Sequence, residues 1–113
     1  MAERLGSYEV FWPFYVAQHS NRTNRRLHFI GTSLVLVAVV ASALVSLVWL
    51  AAAPMAGYGF AWVGHFVFQK NRPATFTYPL WSLRGDFKMF RLMLLGKMDA
   101  EVERVMRLHP AVA

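Results

Sequence analysis

Histidines are the residues of this chain best suited to chemistry, because it contains no cysteine to act as a thiolate ligand or nucleophile. His19, His28 and His65 lie beside or within long apolar segments, whereas His109 precedes Pro110 in the C-terminal tail. Three imidazoles can hold a zinc or iron ion and leave positions open for a substrate. The first three histidines therefore indicate either a shared metal site or separate interfacial side chains that each hydrogen-bond to a neighbour.

Two further polar residues could support such a site. Asp86 is a carboxylate inside an apolar segment, where it would complete a histidine–carboxylate ligand set or, more often, pair with a nearby arginine. Gln69 follows His65 by about one helical turn and is a candidate to hydrogen-bond a ligand.

The dipeptide Asn-Arg occurs twice, as Asn24-Arg25 and as Asn71-Arg72. A guanidinium group can bind a carboxylate through two parallel hydrogen bonds, so these residues are candidates to hold an acidic substrate. The alternative is that both arginines extend to phospholipid headgroups.

The distribution of charge indicates a membrane protein. Residues 27–69 contain no Asp, Glu, Lys or Arg, and 57% of the whole chain is hydrophobic. This uncharged stretch is too long for one membrane crossing and long enough for two short ones. The twelve Lys and Arg residues flank it, which suits anionic lipid headgroups, and no nucleic-acid recognition motif is present.

A helical hairpin would bring the histidines together. We expect a first helix over residues 25–50, a turn at residues 54–59 and a second helix over residues 60–68 that is too short to cross a full bilayer without tilting. Antiparallel packing then places His28 and His65 at one level, and the cap-forming residues 20–24 could fold His19 back towards them.

The rest of the chain predicts further helices at the membrane surface. A helix restarting near Pro13 would carry His19, and residues 71–79 are too rich in proline and β-branched residues for a simple helix. Residues 80–96 predict an amphipathic interfacial helix, followed by a short polar helix from about residue 99 to before residue 110.

The fold class is thus all-α: an integral membrane helical hairpin with flanking interfacial amphipathic helices, in one domain over residues 1–113. Because the positive residues lie outside the turn, both termini are expected to be cytoplasmic, at the inner membrane if the protein is bacterial.

Two long blocks of the sequence resemble a known family. FYVAQHSNRTNRRLHFIGT and GYGFAWVGHFVFQKNRPATFTYPLWSLRGDF are similar to the Mpo-like family of small membrane proteins, over roughly residues 11–99. The family is named for the metabolism of phytosphingosine to odd-numbered fatty acids. The segment from His65 to Asp86, with NRPATF and PLWSL, is long and unusual enough to make accidental agreement very improbable.

The resemblance implies an iron(II)-dependent dioxygenase that shortens 2-hydroxy fatty acids by one carbon in alpha-oxidation. His19, His28 and His65 match the histidine positions of the family, and they are the expected metal ligands and catalytic residues. Gln69 departs from the Glu that family members often carry at this position. The implied partners are a 2-hydroxy fatty acid, O2 and membrane lipid.

Two other functions remain open on the sequence. The same scaffold suits a zinc-dependent lipid hydrolase, because the spacing of the histidines does not choose between zinc and iron. A non-catalytic membrane scaffold or lipid-binding protein is the other alternative. Small residues along the hairpin also permit a homo-oligomer.

Overall fold

Residues 4–110, as described by a computed structural model, are helical with no strand in this range, which confirms the all-α class. Five α-helices follow one another along the chain: α1 (Tyr8–Gln18), α2 (Arg22–Leu44), α3 (Ala52–Val63), α4 (Pro79–Leu94) and α5 (Met98–Leu108). Shorter helical segments lie between them: 3-10 turns at Leu47–Ala51 and Ala74–Phe76, and a π-helical segment at Gly64–Gln69.

The chain divides into two compact units. Residues 21–73 form the first unit, which contains α2 and α3. Residues 4–20 together with residues 74–110 form the second, which contains α1, α4 and α5. The single domain expected over the whole chain stays a prediction.

The first unit is a helical hairpin whose turn lies earlier than the sequence predicted. Helix α2 begins at Arg22 because the side chain of Asn21 caps it, accepting a hydrogen bond from the Asn24 N–H at 3.0 Å. It ends at Leu44, not near residue 50, and Ser46 then caps the 3-10 turn by accepting from the Val48 N–H.

The expected turn at residues 54–59 is wrong, because these residues belong to α3. Pro54 is the third residue of that helix, where the backbone N–H has no partner within the helix and its loss costs little. The second apolar segment is consequently as long as the first. Leu47–Gln69 spans 23 residues, so the prediction of a short second helix is also wrong.

Small residues let α2 and α3 pack closely. A Cβ at Gly31 would lie 3.0 Å from the Cβ of Phe60 and 3.3 Å from the Ala56 carbonyl oxygen. A Cβ at Gly57 would lie 3.1 Å from the Val35 side chain. Helix association in lipid depends on such close backbone approach, as the small residues of the sequence predicted.

Both arms of the hairpin are apolar on their outer surfaces. Arg22–Leu44 and Leu47–Gln69 are long and apolar enough to cross a membrane, and only 17% and 11% of their most apolar windows are buried. Val37, Leu44 and Met55 are exposed over most of their surface. A core helix of a water-soluble protein would instead be mostly buried.

In the second unit, α1 packs with α4 and α5 around an aromatic core. Phe11, Tyr15, Val16, Met89 and Val105 are almost completely buried. Helix α1 runs without a break, and Pro13 is its sixth residue, so the predicted restart at Pro13 is wrong. The carbonyl that loses its partner belongs to Glu9, an exposed residue, which leaves it open to water.

Helix α4 has an exposed apolar stripe and a narrow buried face. It begins at Pro79, a favourable first position for proline, and packs inward through Ser82, Gly85 and Met89. Leu80, Leu83, Phe87 and Leu94 are all exposed. The observed bounds of α4 and α5 agree closely with the predicted helices over residues 80–96 and 99–109.

A buried indole links α1 to α5. Trp12 is 5% exposed and donates from Nε1 to Glu101 at 2.7 Å, while the Arg104 guanidinium donates to both oxygens of the same carboxylate. Lys88 lies over the Trp12 ring, with Nζ 4.1 Å from the centroid. The Arg104 hydrogen bonds are the main reason that the pKa of Glu101 falls to about 2.

Replacing Glu101→Ala should lower the free energy of unfolding by about 1–3 kcal/mol, because it leaves the buried Trp12 N–H without its acceptor. Thermal unfolding followed by circular dichroism in detergent micelles measures the change. Glu103→Ala is the matched control on the exposed side of α5 and should change stability by less than about 0.5 kcal/mol. Equal unfolding temperatures for the two variants would contradict the prediction.

Candidate metal centre

His28 lies on the second turn of α2 and is buried. Its Nδ1 lies 3.1 Å from the carbonyl oxygen of Asn24, four residues earlier on the same helix. A carbonyl oxygen can only accept, so Nδ1 is the protonated nitrogen. The other ring nitrogen, Nε2, therefore carries the lone pair.

His65 is held by a change in helix type at the end of the second arm. It lies in the π-helical segment, which ends where Lys70 adopts a left-handed conformation with φ 58°. The chain then turns back, so that the Asn71 N–H donates to the His65 carbonyl at 2.9 Å and the Asn71 Oδ1 accepts from His65 Nδ1 at 2.6 Å. The His28 and His65 rings meet edge to face, with centroids 4.8 Å apart.

His19 ends α1 and is 1% exposed. Its Nδ1 lies 2.7 Å from the carbonyl oxygen of Tyr15, again four residues earlier. The His19 ring also stacks on the Tyr15 ring, with centroids 4.0 Å apart and an interplanar angle of 25°.

The three histidines share one tautomer. In each ring Nδ1 donates to a carbonyl-type oxygen, which leaves Nε2 as the nitrogen able to bind a metal ion. His19, His28 and His65 are all buried, and three such histidines could hold a metal ion. Neutral imidazoles whose second nitrogen is hydrogen-bonded are the usual form of metal-binding histidines, so the residues fit such an ion.

Asn24 connects the two histidine-bearing arms of the hairpin. It is fully buried; its carbonyl orients His28, and its side-chain amide donates to Gln69 Oε1 at 3.3 Å. Gln69 Oε1 also accepts from the Asn21 N–H at 2.7 Å. A Cβ at Gly64 would overlap the Asn24 side-chain oxygen and lie 3.1 Å from its Cγ. The glycine before His65 therefore makes room for the side-chain amide of Asn24.

The structure places the predicted substrate-binding residues in different surroundings. Arg25 is buried on the first turn of α2, whereas Arg72 is exposed after the π-helical segment. Asn24 and Asn71, which the sequence grouped with these arginines, have contacts that orient His28 and His65.

Asp86 lies on α4 and accepts a hydrogen bond from the Tyr15 hydroxyl at 2.5 Å, so its partner is a phenol where the sequence favoured an arginine. Burial raises the pKa of Asp86 to about 7, although the hydrogen bond from Tyr15 acts in the opposite direction.

Sequence reasoning missed the roles of Tyr15 and Gly64. Tyr15 lies four residues before His19, a spacing that places side chains on one helix face, and this was a usable signal. Gly64 directly precedes His65, but a glycine in an apolar helix gives no indication of what approaches it.

Comparison with known proteins connects the chain to one family. Residues 5–98 match the family model described as 2-hydroxy-palmitic acid dioxygenase Mpo1-like. No curated protein and no solved structure gives a significant match. The matched range includes the three histidines and the residues that accept hydrogen bonds from their Nδ1 atoms.

Gly64→Ala should destabilise the hairpin by about 1–3 kcal/mol, because the new methyl group overlaps the Asn24 amide in a well-packed position. Gly59→Ala is the matched control: it lies in α3 with nothing within 4 Å of the added carbon, and alanine favours helix by up to about 1 kcal/mol. Thermal unfolding in detergent compares the two. An unchanged unfolding temperature for Gly64→Ala would contradict the close contact.

The free energy of unfolding should fall as the pH rises between the ordinary pKa of Asp86, 3.8, and its folded pKa of about 7. Its folded pKa of about 7 lies above the ordinary value of 3.8, so between these values the folded state holds a proton that the unfolded state has lost. The contribution is complete below about pH 4, declines as the pH rises towards the folded pKa, and is fully lost above about pH 7. Asp86→Asn should flatten the pH dependence of the unfolding temperature between pH 5 and pH 8. An Asp86→Asn profile parallel to that of the wild type would contradict this assignment.

Proposed function

Because the chain belongs to the Mpo1-like family, we propose that it is an iron(II)-dependent membrane dioxygenase that converts a 2-hydroxy fatty acid into the fatty acid one carbon shorter. The observation that carries the proposal is a set of three buried histidines, each with its Nδ1 hydrogen-bonded to a carbonyl-type oxygen. The family description names a 2-hydroxy-palmitic acid dioxygenase, and a metal-binding histidine group suits such an activity.

His19, His28 and His65 would hold the metal through Nε2 and leave positions for substrate and O2. Iron(II) supplies the redox chemistry that O2 activation requires when it is bound there. Each Nδ1 hydrogen bond fixes the tautomer and the orientation of its ring. Gln69 and Asp86 would support the ligands indirectly. Gln69 hydrogen-bonds to Asn24, and Asp86 hydrogen-bonds to Tyr15.

The reaction balances without a second reductant. R–CHOH–COOH plus O2 gives R–COOH, CO2 and H2O. The hydroxyl-bearing carbon and the carboxyl carbon together supply all four electrons that O2 accepts. The bond between the carboxyl carbon and the hydroxyl-bearing carbon breaks, and the carboxyl group leaves as CO2. No 2-oxoglutarate is consumed in this scheme.

Substrate binding uses the positive residues near the histidines in sequence. Arg25 lies three residues before His28, and Arg72 follows Asn71, so we assign the substrate carboxylate to these two guanidinium groups. Asn24 and Asn71 add amide groups beside them, in addition to their contacts with histidine.

The proposed location is a membrane, with the alkyl chain of the substrate in its apolar interior. Arg22–Leu44 and Leu47–Gln69 act as the two crossings, since few of their residues are buried by the protein itself. Lysines and arginines lie on both outer sides of the hairpin and none in its turn, so both termini are assigned to the cytoplasmic side. The exposed stripe of α4 suits the membrane surface.

Product analysis tests the reaction. Protein purified without oxygen and loaded with iron(II) should convert 2-hydroxypalmitate in air to the acid one carbon shorter, detected by mass spectrometry. His65→Ala should lose metal and at least about 10²-fold in activity, because one of three ligands is gone. His109→Ala, an exposed histidine in the tail, is the matched control and should retain both.

The same experiment separates the alternatives. Stoichiometric zinc with turnover that does not need O2 would indicate a lipid hydrolase on the same three histidines. Metal content unchanged by His65→Ala, with no product, would indicate a non-catalytic scaffold or lipid-binding protein. Either result would overturn the proposed dioxygenase.

A further inference from the structure

The Tyr15 ring is packed closely by its neighbours. The His19 ring stacks on it with centroids 4.0 Å apart, the Trp12 ring stacks on it at 5.4 Å, and Gly85 of α4 lies so close that an added Cβ would be 3.0 Å from two ring carbons. The side chain is 1% exposed. A ring packed against neighbouring rings and a glycine backbone has little freedom to move.

The hydroxyl group fixes the remaining degree of freedom of this ring. It donates to Asp86 Oδ1 at 2.5 Å, and Asp86 follows Gly85 directly on α4. The backbone carbonyl of Tyr15 also accepts a hydrogen bond from His19 Nδ1. It therefore contacts His19 through two groups, while a third group anchors it to α4.

His19 needs such support more than the other two histidines. It is the residue that ends α1, with φ −122° and ψ 30°, outside the regular helix. His28, by contrast, lies within a helix, and His65 is held by the turn at Asn71. A residue at a helix end has greater backbone freedom, so its ring orientation depends on what packs against it.

We propose that Tyr15 is a positioning residue for the metal centre and that it sets the orientation of the His19 ring. Asp86 anchors the Tyr15 hydroxyl, and Gly85 leaves the space that the Tyr15 ring occupies. The inference rests on the proposed function in that His19 is taken as a ligand. Asp86 acts through Tyr15 and does not touch the ion.

Packing alone does not account for this arrangement. A buried carboxyl group is costly, and a phenylalanine beside an apolar residue would fill the same volume without it. The Tyr15–Asp86 pair instead provides a directional bond between α1 and α4 at the level of the stacked imidazole. Directional bonds of this kind hold ligands in orientation, and their removal typically lowers metal affinity by about 10–100-fold.

Cobalt(II) titration of the purified full chain in detergent tests the proposal, with the visible absorption bands of the bound ion as a measure of ligand geometry. Tyr15→Phe keeps the stacked ring and loses the anchor, so it should weaken cobalt binding by about 10-fold and shift the bands. Asp86→Ala should do the same. Asp86→Asn retains an oxygen that accepts from the phenol and should restore binding to within about threefold of the wild type.

Tyr78→Phe is the matched control. Tyr78 is a buried tyrosine of the same aromatic core whose hydroxyl accepts from the Leu5 N–H at 2.9 Å. Its replacement also removes one tyrosine hydrogen bond, so it should lower stability to a similar degree but leave cobalt affinity and absorption bands unchanged. This comparison separates a positioning role from general destabilisation.

The outcomes distinguish this inference from the function on which it rests. Tyr15→Phe with the affinity and spectrum of the wild type, alongside a His19→Ala variant that loses cobalt, would overturn the positioning role and leave the metal site intact. A His19→Ala variant that binds like the wild type would instead overturn the three-histidine site. Circular dichroism confirms folding, and Tyr15→Phe decides the question if Asp86→Ala does not fold.

Discussion

A buried imidazole must find a partner for its N–H group, because water is not available to provide one, and this requirement organises the candidate site. Three histidines meet it in the same way, with Nδ1 bound to a carbonyl-type oxygen. The consequence is chemical as well as structural. Satisfying one nitrogen leaves the other unprotonated, so the folding of three short segments produces three potential metal ligands.

The partners of these histidines come from nearby in the chain. His19 and His28 use carbonyls four residues earlier, an arrangement that a helix supplies by its own geometry. His65 requires a larger change: a π-helical segment and a left-handed residue at Lys70, which costs of order 1 kcal/mol for a side chain other than glycine. The return of Asn71 to His65 through two hydrogen bonds offsets that cost.

Polar and apolar requirements are separated along each arm of the hairpin. Hydrogen-bonded residues gather where α2 begins and where the π-helical segment ends, and the rest of both arms is apolar and largely exposed. Helices α2 and α3 pack closely because Gly31 and Gly57 have no side chain between the two backbones. In the other unit the same principle appears at Gly85, whose bare backbone admits the Tyr15 ring.

The sequence by itself determined the helical class, the presence of two apolar segments and the bounds of α4 and α5, because charge distribution and periodicity are local properties. It also identified His19, His28 and His65 as the candidate metal ligands. It misplaced the hairpin turn, since Pro54 can either end a helix or occupy its first turn and only packing chooses. It also linked Asp86 with an arginine and overlooked Tyr15 and Gly64. Those contacts join residues 71 and 40 positions apart, and only tertiary structure decides which distant side chain fills the space beside a buried group.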